Sequence, residues 1–203
     1  MPASVYCCER MENAAGGIGL TKSTADEILD CGVDVLTTGN HVWDQKDIIP
    51  HLDGDLPILR PLNFPPGVPG RGYLIWKDVL VINLMGRTFM TPLECPFRTM
   101  DRLLEELTDP PRIVVIDFHA EATSEKVALG RYLDGRVTAV VGTHTHVGTA
   151  DARVFPGGTA QAYNDCYGPT WGRFKDRTYA VLGNHDWDSA SASFAGAASY
   201  FGD

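Results

Sequence analysis

The chain has 203 residues and 44% hydrophobic content, enough to bury one sizeable core, so we expect one domain. Its formal charge of -9 and pI near 5.0 argue against a stable complex with nucleic acid, because phosphates would be repelled unless cations intervened. No apolar run approaches the roughly 20 residues that span a bilayer, and the first residues lack a signal-peptide layout. We therefore expect a soluble, cytoplasmic protein without a membrane partner.

The first elements follow an α/β pattern, in which short β-branched runs alternate with segments of helical period. A helix is predicted from Thr21 to about Cys31, with Gly32 as its stop. Thr24 and Glu27 have the spacing of a capping box within it. A strand is predicted at 33–37.

The middle of the chain combines a long loop with a hairpin. A short helix is predicted over 44–52, weakened by Pro50, and residues 60–72 form a Pro/Gly loop without periodicity. Two apolar runs, at 73–76 and 79–84, predict a β-hairpin.

The later elements have stronger patterns. A helical stripe of core residues comes next, then a strand at 113–116, a helix from about Ser124 to Leu133 and a strand at 137–141. The stripe consists of Phe97, Met100, Leu103, Leu104 and Leu107.

Side chains able to bind metal ions follow several of these strands. In open α/β sheets the ligand site lies outside the carboxyl ends of the strands. Any one of these residues has an ordinary alternative as a hydrogen-bonded structural histidine or a turn asparagine. Their joint occurrence favours one shared site. The candidates are Glu12, Asn13, Asn40, His41, His119, His144 and His146.

The ligand chemistry of this set indicates two divalent ions. Imidazole, carboxylate and amide oxygen together suit Mn, Fe, Zn or Co. Two ions about 4 Å apart need a bridging carboxylate and can clamp a displacement at phosphorus, and Glu12 is the candidate bridge. His144 and His146 are two residues apart, so on an extended segment they would point the same way.

Six segments from about Val5 to Ala160 resemble the bacterial calcineurin-like metallophosphoesterases active on 2′,3′-cyclic nucleotides and other phosphodiesters. They are MENAAGGIGLT, TTGNHVWD, RPLNFP, NLMGRTF, DFHAEATSEK and VVGTHTHVGTAD. The resemblance implies an αββα sandwich around a binuclear centre. It also implies an enzyme that hydrolyses a small phosphodiester or nucleotide with a metal-activated hydroxide.

The resemblance also implies a role for each candidate. His41 matches the catalytic histidine, which stabilises the transition state or protonates the leaving oxygen. The implied ligands are Glu12 as the bridge, Asn13 and His146 on the first ion, and Asn40, His119 and His144 on the second.

The amino-terminal end departs from the family pattern. The family begins with a strand ending in a Gly-Asp pair, then a helix, whereas only about ten residues precede Glu12 here. We therefore expect residues 1–160 to form a truncated core that lacks its first strand and helix, with the first ion short of one ligand. The alternatives to an active phosphodiesterase are a catalytically impaired metal- or phosphate-binding fragment and a structural remnant.

The segment 161–203 forms a separate tail. From about Asp165 it resembles an internal stretch of purple-acid-phosphatase-like enzymes, so the chain looks like a fusion of two phosphoesterase fragments. The tail is either a poorly packed by-product, or a repair in which 179–182 fills the vacant sheet edge, or part of a homo-oligomer interface. In the repair, substitute metal ligands come from Asn184, His185 or Asp186.

Overall fold

The computed structural model describes residues 14–146 and residue 152. Residues 14–132 and 139–146 belong to one compact unit, which holds every element described below, and residues 133–138 belong to a second. In the described part of the chain, no helix has the length and apolar character required to span a membrane. Several predicted residues lie outside the described range, namely Glu12, Asn13, Asn184, His185, Asp186 and the whole 161–203 tail.

The described unit has a mixed α/β fold, as predicted. Its helices are α1 (Lys22–Asp30), α2 (Ile49–Leu52), α3 (Pro96–Glu106) and α4 (Thr123–Tyr132). Its strands are β1 (Leu36–Thr37), β2 (Ile58–Leu59), β3 (Tyr73–Trp76), β4 (Val79–Met85), β5 (Ile113–His119) and β6 (Ala139–Thr143).

The strands form two sheets. The larger has the order β3-β4-β5-β6, in which β3 and β4 are antiparallel while β4, β5 and β6 run parallel. The smaller is a parallel pair of β1 and β2. Met85 pairs with His119, which pairs with Thr143, so the three parallel strands end at the same level. Side chains from their carboxyl ends therefore meet at one edge.

The core follows from the apolar runs. All seven residues of β4 are buried, as expected for a central strand with both faces covered. One apolar cluster joins Val35 and Leu59 to Val79 and Val81 of β4, so the two-stranded pair packs on the larger sheet. A second cluster includes Ala25 of α1, whose side chain is fully buried.

The start of α1 corrects one prediction. The helix begins at Lys22, and the Thr21 side chain accepts a hydrogen bond from the Thr24 backbone N–H at 3.2 Å. Thr21 is therefore the N-cap, and the capping box predicted at Thr24 and Glu27 is wrong because those residues lie inside the helix. The predicted stop is confirmed, since Gly32 has φ of 92° after the last turn.

Two predicted elements before the hairpin are shorter than expected. The strand predicted at 33–37 pairs only at Leu36–Thr37, because its partner Ile58–Leu59 follows Pro57, which has no N–H to continue the ladder. The partner β2 itself was not predicted. The helix predicted over 44–52 is limited to Ile49–Leu52, since Pro50 is tolerated in a first turn but not in a helix interior.

Two strands of the larger sheet extend beyond their predicted ends. The strand predicted at 113–116 continues to His119, because the hydroxyls of Thr37 and Thr143 satisfy the Asp117 carboxylate inside the sheet. The strand predicted at 137–141 is shifted to Ala139–Thr143 to match it. The hairpin, α3 and α4 are confirmed within two residues at each end.

Candidate active site

The candidate site lies where the carboxyl ends of β1, β5 and β6 come together. Asn40 follows β1, His119 is the last residue of β5, and His144 directly follows β6. His119 Nε2 lies 3.0 Å from Asn40 Oδ1 and 2.9 Å from His144 Nδ1. The two imidazole rings meet edge to face with centroids 4.7 Å apart. The structure thus gathers three of the predicted residues around one point.

Gly39 makes room for this cluster. A Cβ atom at Gly39 would overlap Nε2 of the His119 ring, far inside van der Waals contact. Its φ is not positive, so the requirement for glycine here is steric and not conformational. The glycine of the Gly-Asn-His motif therefore lets the backbone after β1 approach the imidazole.

A buried carboxylate, Asp117, is connected to the cluster through hydrogen bonds. Asp117 accepts hydrogen bonds from Thr37 Oγ1 at 2.5 Å and from Thr143 Oγ1 at 2.8 Å. The Thr143 hydroxyl also lies 3.2 Å from His119 Nδ1. Asp117 and His119 are two residues apart on one strand and face the same side. Sequence reasoning missed Asp117 and Thr143, although a charged residue inside an apolar strand was a usable signal.

Asn83 of β4 fixes the backbone that carries Asn40. Its side-chain amide donates to the carbonyl oxygens of Thr38 at 2.7 Å and Leu59 at 3.0 Å. Both acceptors lie at the ends of the two-stranded pair, and Asn83 is fully buried. This bridge ties the loop after β1 to the larger sheet, and Asn83 was not among the predicted site residues.

The segment after β6 corrects another expectation. His144 has φ of 91° and His146 has φ of 38°, so the segment is not extended as predicted. His144 Nε2 lies 3.0 Å from Glu121 Oε2, which points Nδ1 of the same ring toward His119. His146 is exposed, two residues further along.

His41 has a carboxylate partner of its own. His41 Nδ1 lies 2.6 Å from Asp44 Oδ2, and the side chains are 36% and 44% exposed. The three-residue separation within the loop after β1 brings the two groups together. Asp44 was not among the predicted site residues.

The geometry of the cluster fits a divalent metal ion. Ligand distances of about 2.0–2.1 Å place neighbouring ligands on one ion roughly 3 Å apart, which matches the distances from His119 Nε2 to Asn40 Oδ1 and to His144 Nδ1. Two imidazoles and an amide oxygen suit Mn, Fe, Co or Zn. Among the described residues no three His, Cys, Asp or Glu side chains form a metal-binding group, because the third donor is the amide of Asn40.

A sequence profile described as YmdB-like protein matches residues 5–165, most of the chain. The chain belongs to the YmdB-like protein family. The matched range includes all the predicted site residues except the three in the tail.

Three relatives put this membership in context. The chain is 52% identical over 153 residues to the 2′,3′-cyclic-nucleotide 2′-phosphodiesterase of Bacillus subtilis, covering 73% of this chain and 58% of that protein. A hypothetical protein from Thermus thermophilus has a similar crystal structure, with TM-score 0.67 and 49% identity, and the match covers 72% of this chain and 59% of that protein. The crystal structure of a novel phosphatase from Mycoplasma pneumoniae is also similar, with TM-score 0.63 and 34% identity, and the match covers 70% of this chain and 53% of that protein. The chain spans less than two thirds of the length of these relatives.

Proposed function

We propose that this YmdB-like chain is a metal-dependent phosphodiesterase that hydrolyses small diesters such as cyclic nucleotides. The observation that carries the proposal is the position of His119 Nε2, which lies 3.0 Å from Asn40 Oδ1 and 2.9 Å from His144 Nδ1. The Bacillus subtilis relative, 52% identical over the shared region, is named as a diesterase for this class of substrate. The αββα sandwich and the binuclear centre belong to the same proposal.

The metal ligands divide into two groups. Asn40, His119 and His144 would hold one ion, since their donor atoms already face one another. Glu12, Asn13 and His146 remain the proposed ligands of the other ion, with Glu12 as the bridge. When bound, the ions supply positive charge at the phosphate and an activated water for attack.

The chain's own contribution to the reaction centres on His41. Asp44 accepts a hydrogen bond from Nδ1–H of His41 and so orients the ring. A ring fixed in this way presents its other nitrogen, Nε2, as the group that gives a proton to the leaving oxygen or stabilises charge developing on it. The carboxylate partner has the orienting role of the acid in a catalytic triad.

The proposal is tested by hydrolysis of 2′,3′-cyclic AMP by the 203-residue chain after chelation and reconstitution. Chelation should abolish turnover, and Mn, Fe or Co should restore it better than Mg, because two imidazoles disfavour the harder ion. The 3′-nucleotide is the expected product, since the relative's name specifies the 2′ ester. p-Nitrophenyl phosphate, a monoester, serves as the comparison substrate. Turnover in the chelated protein, or full activity with Mg alone, would contradict the proposal.

A further inference from the structure

A buried line of hydrogen bonds runs from Asp117 through Thr143 to His119. The Thr143 hydroxyl lies 2.8 Å from Asp117 Oδ1 and 3.2 Å from His119 Nδ1. All three residues are at most 3% exposed, so water does not compete for these contacts. The line ends on the nitrogen of His119 that faces away from Asn40 and His144.

The number of protons on this line determines the form of the imidazole. A threonine hydroxyl has one proton, and a carboxylate can only accept. Thr143 therefore donates to Asp117 and accepts from His119, which places a proton on Nδ1 of the ring. Neutral imidazole carries one N–H, so Nε2 is left with its lone pair.

His144 is held in the opposite form. Glu121 Oε2 lies 3.0 Å from His144 Nε2, so that nitrogen carries the proton, and in the neutral ring Nδ1 has the lone pair. The lone pairs of His119 Nε2 and His144 Nδ1 then face each other at 2.9 Å, with Asn40 Oδ1 at 3.0 Å from the former. Three acceptors this close repel one another, and a cation between them removes the repulsion.

We propose that Asp117, acting through Thr143, is a positioning residue that holds His119 as the Nδ1–H tautomer so that Nε2 binds the metal. Glu121 positions His144 in the complementary tautomer. The inference rests on the proposed metal site and deepens it. The buried Asp117 has the larger effect of the two carboxylates, because Glu121 is 48% exposed and its pair with His144 is screened by solvent.

The tautomer is measurable without metal and without activity. Long-range ¹H–¹⁵N NMR spectra of the metal-free chain, with ¹⁵N-labelled histidine at about pH 8, above the usual histidine pKa, report which nitrogen carries the proton. The His119 signals are assigned by their loss in His119→Gln. We expect Nδ1–H in the wild type and in Thr143→Ser, and a mixture of tautomers in Thr143→Val. An Nε2–H tautomer in the wild type would overturn the proposal, as would an unchanged spectrum in a folded Thr143→Val variant.

Metal affinity gives the second measurement, by calorimetric titration with Mn²⁺. Loss of the hydrogen-bond partner of a metal-binding histidine typically weakens metal affinity about 10–100-fold. Thr143→Val and Asp117→Asn should each weaken Mn²⁺ affinity by this factor. Thr143→Ser, which keeps the hydroxyl, should bind like the wild type. Wild-type affinity in Thr143→Val, or equal weakening in the Ser and Val variants, would refute the role of the hydroxyl.

A matched control separates loss of a buried hydroxyl from loss of this contact. Thr99 on α3 is buried, and within the described residues its hydroxyl makes no hydrogen bond. Thr99→Val should leave Mn²⁺ affinity unchanged. Weakening as large as in Thr143→Val would indicate a general packing effect and overturn the proposal. If Thr143→Val and Asp117→Asn do not fold, the wild-type tautomer and the Thr143→Ser titration decide the matter.

Failure of this inference is distinguishable from failure of the proposed function. A chain that shows these tautomers and affinities but hydrolyses no diester would refute the enzyme and retain the positioning roles. An active, metal-dependent chain with an Nε2–H tautomer at His119 would do the reverse.

Discussion

The position of the His119 ring is constrained on several sides by neighbouring residues. Gly39 clears the space that the ring occupies, Thr143 contacts Nδ1, and Asn40 and His144 face Nε2. The ring is only 2% exposed, so its position depends on protein groups and not on solvent. Small changes at any of these contacts should therefore alter the proposed metal site.

Gly39→Ala should weaken metal binding at least about tenfold, as for other changes that misorient a metal-binding histidine. The added methyl group overlaps the His119 ring, which must move. Gly54→Ala is the matched control, because the same substitution there meets its nearest neighbour, a backbone oxygen, at 3.3 Å. Mn²⁺ titration of both variants provides the test, and wild-type affinity in Gly39→Ala would contradict the geometry.

His119→Ala and His144→Ala should each abolish diester hydrolysis, because each removes an imidazole from the same ion and a ligand-deficient ion cannot hold its activated water. Activity is measured against bound metal per chain. His51→Ala, at a histidine in α2, is the control and should retain activity. Wild-type-like turnover in either site variant would refute the ligand assignment.

His41→Ala should behave differently and lose about 10²–10⁴-fold in rate while retaining metal, as is typical when a proton-transferring group is removed. Asp44→Asn should lower the rate less, since it keeps the ring and loses only its orienting carboxylate. A fall in metal content parallel to the fall in rate would show that His41 is a ligand instead.

The sequence allowed the residues of the cluster to be predicted but not the residues that hold them. Asn40 and His119 are 79 positions apart, and both follow predicted strands, a pattern visible without a structure. Thr37 and Asp117 are 80 positions apart and lie within strands, where polar side chains show no local sign of their partners. A long-range hydrogen bond of this kind depends on how β1 of the smaller sheet lies against β5 of the larger one.

At the scale of elements, long periodic segments were predictable and short ones were not. The hairpin and α3 have strong patterns of alternation and helical period, and both are confirmed. The two-residue strand β2 is too short to have a period, and its pairing with β1 comes from tertiary contacts. The strand was predicted to end before Asp117, since burying a charge without its distant hydrogen-bond partners would cost free energy.

The corrected cap of α1 makes a stability prediction. Thr21→Ala should lower the free energy of unfolding by about 1 kcal/mol, the usual value for loss of an N-cap side chain, because the Thr24 N–H loses its acceptor. Thr24→Ala is the control, since it keeps that N–H and removes only the contact between the two hydroxyls. Urea denaturation of both variants compares them, and a larger loss in Thr24→Ala would restore the capping box.

On the scale of the whole molecule, the chain is an acidic YmdB-like protein that spans 58% of its Bacillus subtilis relative. Its charge of -9 is compatible with a small phosphodiester substrate when metal ions supply the local positive charge. The homo-oligomeric state, the cytoplasmic location and the role of the 161–203 tail stay predictions.

Metal binding should stabilise the entire described unit. An ion that binds only the folded chain raises the free energy of unfolding by about 2.7 kcal/mol when its concentration is one hundred times its dissociation constant. The unfolded chain should not bind the ion in this way, because the proposed ligands come from segments far apart in sequence. Thermal unfolding should therefore shift upward with Mn²⁺ and downward with a chelator. His119→Ala is the control and should show a much smaller shift, whereas an equal shift would place the stabilising ion elsewhere.

The most direct test of the central claim is a titration of the chelated 203-residue chain with Mn²⁺, in which bound metal and hydrolysis of bis(p-nitrophenyl) phosphate are measured on the same samples. We predict that turnover rises in proportion to metal bound at the Asn40, His119 and His144 cluster and is absent in His119→Ala. Hydrolysis by the metal-free chain, or undiminished hydrolysis by His119→Ala, would contradict the account.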